Sequence, residues 1–173
     1  LARIKTKDDD ALLRGVAEEL ESSGIRILQS TLCVPQIVAS QGVLTRHAPS
    51  PAEWEDVRFG FRVGKEIGRL GIGQTIVVKR QIVVAVEALE GTDAAIERGG
   101  QLAKSGFVVV KVSKPDQDLR FDVPAVGVAT IKRMREAGGA VLAVEAGKTI
   151  LLEKAQFIKQ AEDFGISVVA LSD

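Results

Sequence analysis

The densest group of polar residues in this chain is KPDQDLRFD, the segment from Lys114 to Asp122, which closely follows an aliphatic run. It combines three carboxylates with the cations Lys114 and Arg120. Carboxylates suit a hard cation such as Mg²⁺, whereas lysine and arginine suit phosphate oxygens. This mixture is suited to phosphoryl chemistry, because cations neutralise the phosphate while a carboxylate orients an attacking water. The composition also fits a solvated loop with no chemical role.

A second acidic group, VEALEGTD, also follows an aliphatic run and opens the next predicted helix. It contains Glu87, Glu90 and Asp93, and Thr92 stands near the predicted helix start. The N-terminus of a helix can receive an anion, but neighbouring carboxylates would oppose that unless a metal ion lies between them. The alternative is that these acids only complement the helix dipole.

Two predicted strands end in a similar short sequence. VVAVEA at 83–88 and VLAVEA at 141–146 each place a glutamate where an aliphatic run ends. Ligands of α/β folds bind at the carboxyl ends of strands, so the repeat would deliver Glu87 and Glu145 to one ligand-binding edge. Because alanine and valine are common, the similarity can also be a coincidence.

Composition excludes several classes of function. Lysine and arginine number 23, as do aspartate and glutamate, and this zero net charge argues against a nucleic-acid-binding protein, which needs a basic surface. Cys33 and His47 are the only residues of their types, which excludes an internal disulfide and a zinc site built from clusters of such ligands. No apolar run approaches the ~20 residues of a membrane span, and the known glycine-rich phosphate fingerprints are missing.

The elements that must position these groups alternate between helix and strand. Aliphatic, β-branched runs predict strands, and apolar residues at helical spacing predict helices. The predicted strands are 25–28, 75–78, 82–86, 107–112, 141–144, 149–152 and 166–171, and the predicted helices lie near 12–20, 50–70, 91–104, 128–134 and 157–161. Strands made almost entirely of valine and isoleucine are covered on both faces. The sequence therefore predicts a single α/β layered domain, with a mixed, mostly parallel sheet flanked by helices.

Two local patterns are specific. Ser50, Pro51 and Glu53 form the signature of a capped helix start. The strands at 75–78 and 82–86 are separated by three residues only, which predicts a hairpin although the turn lacks the glycine or asparagine that tight turns favour.

Three long segments carry a family resemblance: VVAVEALEGTDAAIERGGQL, VVVKVSKPDQDLRFDVPAVGVATIKRM and VLAVEAGKTILLE, in that order. They resemble the C-terminal domain of the UDP-2,3-diacylglucosamine pyrophosphatases, and the opening DDDALLRGVAEELESSGI also fits, so the resemblance covers nearly the whole chain. It implies an enzyme of lipid A biosynthesis in Gram-negative bacteria. Such enzymes hydrolyse the pyrophosphate of UDP-2,3-diacylglucosamine to UMP and lipid X with a divalent cation such as Mg²⁺, by attack of water on the α-phosphorus.

The resemblance also implies partners and a location. The substrate is an acylated UDP-sugar, and a homo-oligomer, a dimer, is expected. The expected location is the cytoplasm, with association at the inner-membrane surface, and no nucleic acid is among the expected partners.

The motifs assign roles to individual residues. Asp118 and Asp122 would be catalytic, holding the metal or assisting the attacking water, and Glu90 and Asp93 would be further metal ligands. The residues implied to contact the substrate are Lys114, Gln117, Arg120, Glu87, Thr92, Glu145 and Lys148.

Two departures from the family pattern matter. The family has an N-terminal domain similar to a Rossmann fold, and nothing in this chain corresponds to it. Residues 1–173 are therefore expected to form the C-terminal domain, with the substrate between the two domains. The family pattern also has an acidic residue before Ile72-Gly73-Gln74, where this chain has Gly71.

The alternatives to hydrolysis are a non-catalytic nucleotide- or lipid-binding module and a truncated, inactive domain.

Overall fold

Six strands form one mixed sheet at the centre of the computed structural model, which describes residues 9–172. The strands of this sheet are β1 (Gly42–Val43), β2 (Thr75–Lys79), β3 (Ile82–Val86), β4 (Phe107–Lys111), β6 (Gly139–Glu145) and β8 (Ser167–Leu171), in the order β1-β8-β6-β4-β2-β3. β4, β6 and β8 pair in parallel, whereas β2 is antiparallel to both β4 and β3, and β1 is antiparallel to β8. The strands β3, β4, β6 and β8 therefore run in one direction and end at the same edge, called here the carboxyl edge.

Helices cover both faces of this sheet. The helices of the described residues are α1 (Asp9–Ser22), α2 (Pro51–Arg69), α3 (Thr92–Ala103), α4 (Val128–Ala137) and α5 (Lys154–Asp163). Val57 and Phe61 of α2 pack on one face, against a set of strand residues that includes Val110. The other face meets α3, α4 and α5, whose buried residues pack against the alternate strand residues. The predicted α/β layered fold is confirmed, and the two covered faces explain why the strands are continuously aliphatic.

The capped start of α2 is confirmed. Ser50 Oγ accepts a hydrogen bond from the Glu53 N–H at 3.4 Å, and Glu53 Oε2 accepts one from the Ser50 N–H at 2.7 Å. The helix then packs closely on β4, because Gly60 faces the sheet and a Cβ at this position would lie 2.6 Å from Val110 Cγ2. This close packing directs the later turns of α2 towards the carboxyl edge.

The predicted hairpin of β2 and β3 is also confirmed, and the structure explains its unusual turn. Arg80 and Gln81 both have positive φ, 53° and 56°, a conformation that glycine or asparagine usually supplies. The buried carboxylate of Asp56 accepts hydrogen bonds from the N–H groups of Arg80 at 2.9 Å and Gln81 at 2.5 Å. A tertiary contact from α2 therefore stabilises the turn in place of a favourable turn residue.

Two predictions from hydrophobic pattern are wrong in detail. Residues 25–28 form no strand: they pair with none of the described strands, and Ile25 and Leu28 stay exposed. The predicted 149–152 strand is short: β7 (Ile150–Leu151) pairs with β5 (Ala125–Val126) in a separate two-stranded sheet. Among the described residues, no helix is long and apolar enough to span a bilayer.

Candidate active site

The carboxyl edge brings together the polar segments that follow three strands. The segment after β3 carries Glu87, the segment after β4 carries KPDQDLRFD, and β6 ends at Glu145. The parallel direction of these strands places all three segments on one side of the sheet. Glu87 and Glu145 themselves end strands separated by β4 and β2, and each has its own set of partners.

Glu145 is the centre of a buried ionic cluster at the end of β6, with only 1% of its surface exposed. Its carboxylate accepts hydrogen bonds from Lys65 Nζ at 2.9 Å, Lys148 Nζ at 2.7 Å and the Ser113 N–H at 2.8 Å. Burial alone raises the pKa of Glu145, but the hydrogen bonds of Lys148 and Lys65 outweigh it and leave the pKa below its ordinary value. The acid is therefore ionised and holds two cations at the edge.

A chain of hydrogen bonds connects this cluster with the KPDQDLRFD loop. Ser113 Oγ donates to Gln117 Oε1 at 3.1 Å, and the Lys114 N–H donates to the same oxygen at 2.9 Å. Gln117 Nε2 then donates to Asp122 Oδ2 at 2.5 Å. The side chain of Gln117 thus orients Asp122, and its amide is buried between the start and the end of the loop.

A second buried group lies between β4 and the start of α3. Lys111 Nζ donates to Thr92 Oγ1 at 3.0 Å and to the Ala125 carbonyl at 3.1 Å, and Thr92 Oγ1 donates to Glu87 Oε1 at 2.9 Å. Burial lowers the pKa of Lys111 below its ordinary value, although the carboxylates of Glu87, Asp93 and Asp122 act in the opposite direction. The two acidic segments found in the sequence therefore meet at this lysine.

Asp118 is paired inside its own loop rather than with the other acids. Arg120 binds it through Nε at 2.9 Å and Nη2 at 2.7 Å, and also donates from Nη1 to Glu21 of α1 at 2.6 Å. The hydrogen bonds of Arg120 lower the pKa of Asp118 below its ordinary value. Arg14 of α1 donates to the Asp116 carbonyl at 2.6 Å, so α1 holds this loop at two points.

Glu90 and Asp93, the other predicted metal ligands, are both exposed. Glu90 forms an ion pair with Arg98, and that hydrogen bond lowers the pKa of Glu90. Among residues 9–172, no three histidine, cysteine, aspartate or glutamate side chains are grouped so that they could hold a metal ion. These residues therefore do not fit a cation site by themselves, and the roles of Asp118, Asp122, Glu90 and Asp93 as ligands stay predictions.

Two grooves flank the loop at Pro115. One, of about 790 Å³, is lined by α2 side chains including Phe61 and Lys65 and by Lys148. The other, of about 540 Å³, is lined by the loop from Pro115 to Arg120 and by Arg14. Both grooves open beside the hydrogen-bonded side chains of the carboxyl edge and present cations to their interior.

Three buried side-chain oxygens in the described part of the chain have no hydrogen-bond partner: Gln74 Oε1, Glu87 Oε2 and Thr149 Oγ1. Gln74 precedes β2 at the carboxyl edge, Glu87 follows β3 there, and Thr149 follows Lys148. Buried polar atoms are normally paired, so Gln74 Oε1 and Glu87 Oε2 are acceptors, and Thr149 Oγ1 a donor or acceptor, that can bind polar groups at this edge.

Gly71, the position where the family pattern has an acid, lies just after α2 and is exposed. Its φ of +70° is in the left-handed region, and a Cβ there would meet nothing within 4 Å. Glycine suits such a helix-terminating turn, so the residue has a conformational reason to be present.

Sequence reasoning missed three residues that build this edge: Lys65, Lys111 and Ser113. Lys111 ends the strand FVVVK, and a lysine within a buried aliphatic run is itself a signal, since lysine is almost never buried without a partner. Lys65 stands four residues after Phe61 and eight after Val57, on the stripe of α2 that faces the sheet. For Lys65 and Lys111, a lysine at a position that the pattern assigns to the core was therefore the indication of a role at this edge.

A sheet covered on both faces, with acids and cations paired at its carboxyl edge, defines an α/β protein whose polar groups lie at the edge where such folds bind ligands. The chain belongs to the LpxI C-terminal domain family, whose profile matches residues 40–169 and so includes all the predicted site residues. It is 38% identical, over 173 residues, to UDP-2,3-diacylglucosamine pyrophosphatase LpxI of Caulobacter vibrioides. That match covers 95% of this chain and 62% of the relative, so the chain spans under two thirds of the relative's length. The family resemblance found in the sequence is confirmed.

Proposed function

We propose that this chain takes part in the hydrolysis of the pyrophosphate bond of UDP-2,3-diacylglucosamine to UMP and lipid X, in lipid A biosynthesis. The observation that carries the proposal is 38% identity to a relative of that name across 95% of this chain. The paired acidic and basic side chains at the carboxyl edge support it, because phosphoryl transfer needs cations that neutralise the phosphate and a carboxylate that orients the attacking water.

In the proposed reaction a water oxygen bonds to the α-phosphorus, and the bond from that phosphorus to the bridging oxygen breaks. Lipid X leaves with the bridging oxygen, and the proton of the water passes to a carboxylate. We assign that carboxylate to Asp122, because Gln117 orients it through Oδ2. Asp118 is the less suitable base, since Arg120 binds both of its oxygens.

The cations of the edge would bind the phosphates and the sugar. Lys148 lines the larger groove and is 40% exposed, which suits it to a phosphate. Arg120 would have to exchange its bonds with Asp118 and Glu21 for phosphate oxygens, which its guanidinium binds in two-point contact. Lys114, in the same loop, is the third cation assigned to the substrate. Glu87 offers its Oε2 for a hydrogen bond to the sugar, whereas the hydroxyl of Thr92 is already bonded to Lys111 and to Glu87 and contributes by orienting that carboxylate.

The requirement for Mg²⁺ or another divalent cation also remains a prediction of the family resemblance. Since the described residues group no set of ligands for it, no step of the proposed reaction depends on its position. Turnover measured with EDTA and then with added Mg²⁺ tests the requirement, and unchanged turnover in EDTA would show that the prediction is wrong.

The experiment that tests the function is incubation of the purified intact protein with UDP-2,3-diacylglucosamine and Mg²⁺, with quantification of UMP. Release of UMP with equal lipid X is the expected result. Substrate that stays intact would contradict the proposal. Light scattering of the same preparation tests the predicted homodimer, and flotation with vesicles tests association with the inner-membrane surface.

A second candidate is a nucleotide- or lipid-binding module without catalysis. The observation that favours it is the pairing of Asp118 with Arg120, which leaves one of the two predicted catalytic acids occupied. Calorimetric titration with UMP, lipid X and the substrate distinguishes the two functions: tight binding without UMP release by the intact protein supports the module.

A further inference from the structure

The buried ammonium of Lys111 joins two polar segments that are distant in sequence. Lys111 is 9% exposed and lies at the end of β4, in the middle of the sheet. Its Nζ donates to Thr92, at the start of α3, and to the Ala125 carbonyl, where the KPDQDLRFD loop ends at β5. One atom therefore holds the segment after β3 and the far end of the loop after β4.

Carboxylates from both polar segments surround the buried ammonium of Lys111. Burying a lysine costs free energy unless opposite charges compensate it. The carboxylates of Glu87, Asp93 and Asp122 act on Lys111 and oppose the effect of burial on its pKa. Acids of both polar segments thus attract the ammonium, while its hydrogen bonds to Thr92 and the Ala125 carbonyl hold the two segments together.

Lys111 also determines the direction of the neighbouring hydrogen bonds. An ammonium only donates, so Thr92 Oγ1 must accept from Lys111 and use its single proton for Glu87 Oε1. Thr75 Oγ1, 3.4 Å from Thr92 Oγ1, then has to be a donor as well. Glu87 is thereby oriented through Oε1, and its buried Oε2 remains an acceptor without a partner.

We propose that Lys111 is a positioning residue for the hydrolytic site: it holds Thr92 and Glu87 against the loop that carries Gln117 and Asp122. This inference rests on the proposed function. Lys111 is the one charged residue of β4, whose other positions are phenylalanine and valine. Correct placement of two loops affects the rate more than the binding of substrate, because the reacting geometry must be met in the transition state.

The test compares Lys111→Met with Lys79→Met in the intact protein. Lys79 is the control, because its Nζ also donates two hydrogen bonds, to the carbonyls of Ala103 at 2.8 Å and Ser105 at 2.7 Å, but at the opposite edge of the sheet. We expect kcat to fall by about a hundredfold in Lys111→Met with KM changed less than about threefold. Lys79→Met should keep the kcat of the wild type even where its thermal midpoint is lower.

Thr92→Val provides a second, independent variant, because it removes the same hydrogen bond from the helix side and keeps the ammonium. If Lys111 acts through Thr92, the double variant loses no more than the more damaging single change, since the two residues act as a unit. Folded Lys111→Met or Thr92→Val protein with full kcat would overturn the inference, as would losses that simply add. If Lys111→Met does not fold, full kcat in Thr92→Val still overturns the inference.

The same experiment separates this inference from the proposed function. If the wild type and Lys79→Met release no UMP, the function fails and the inference fails with it. If both release UMP and Lys111→Met releases it equally fast, only the assignment of Lys111 is wrong.

Discussion

Gln117 donates a hydrogen bond from Nε2 to Asp122 Oδ2 across 2.5 Å, while its Oε1 accepts from Ser113 and from the Lys114 N–H. Both ends of the amide are therefore used, and the side chain can occupy only one orientation. Because the Ser113 N–H also donates to Glu145, the acid at the end of β6 and the acid at the end of the loop belong to one connected network.

This relationship predicts that Asp122→Asn folds normally and loses turnover. An asparagine presents an amide in place of the second carboxylate oxygen, so it cannot take the proton of the attacking water. We expect kcat to fall by about a hundredfold or more, the usual contribution of a general base. UMP release under substrate saturation is the measurement. Asp116→Ala in the same loop is the control, because its side chain is exposed, and equal loss in both variants would contradict a specific role for Asp122.

The ion pair of Asp118 and Arg120 predicts a change in the pH dependence of the reaction. Hydrogen bonds from Arg120 lower the pKa of Asp118, so the acid is ionised further into the acidic range than an ordinary aspartate. Arg120→Gln removes those bonds and should raise the pKa of Asp118 towards its ordinary 3.8. If turnover needs ionised Asp118, the acid limb of kcat/KM moves to higher pH. Arg133→Gln, a half-exposed arginine of α4 that pairs with Glu136, is the control and should leave the acid limb in place. An acid limb that does not move in Arg120→Gln would show that Asp118 does not control it.

The buried cluster of Glu145 predicts that stability falls in acid. The pKa of folded Glu145 lies below the ordinary 4.5, so between these values the unfolded chain binds a proton that the folded chain does not. This contribution is complete above the unfolded pKa and is lost as pH falls through the folded pKa. Urea unfolding between about pH 6 and pH 3 measures it. The slope should be shallower in Glu145→Gln.

The same variant should also be less stable at neutral pH. Removing the carboxylate leaves Lys65 and Lys148 without the acid that both of them bind, and losing one partner of a buried ion pair costs about 3 kcal/mol. Glu66→Gln on the exposed face of α2 is the control and should change the neutral stability by less than about 0.5 kcal/mol. Wild-type stability at neutral pH in Glu145→Gln would contradict the importance of this cluster for the fold.

The packing of α2 on the sheet predicts a graded effect of alanine. A Cβ at Gly60 would lie 2.6 Å from Val110 Cγ2, and one at Gly64 would lie 3.2 Å from Val112 Cγ2. Gly60→Ala should therefore destabilise the protein by about 1–3 kcal/mol, the usual cost of overpacking. Gly64→Ala should cost less, because the gain in helix propensity of about 1 kcal/mol offsets a smaller clash. Denaturant unfolding compares the two, and the reverse order would contradict the packing described.

The sequence was sufficient to identify the polar segments of the site, but not which of their side chains pair with one another. KPDQDLRFD was identifiable because a dense polar loop after an aliphatic strand is unusual, and the structure places it at the carboxyl edge as expected. The pairing of Asp118 with Arg120 was not predictable, since nothing in the spacing says which acid of the loop the arginine binds. The prediction that Glu87 and Glu145 lie at one edge is confirmed, because β3 and β6 run in the same direction. The sequence could not show that β4 and β2 lie between them or that each glutamate has its own partners.

Local pattern determined most of the elements, because helix caps, β-branched runs and apolar spacing act over a few residues. It determined the family as well, through long motifs in a fixed order. Only the tertiary structure decided that residues 25–28 form no strand, since a short aliphatic run is a strand only where it pairs with another, and β8 pairs with Gly42–Val43 instead. It alone decided that Lys111 would join the two acidic segments, because the burial of a charge is settled by contacts between residues far apart in the chain.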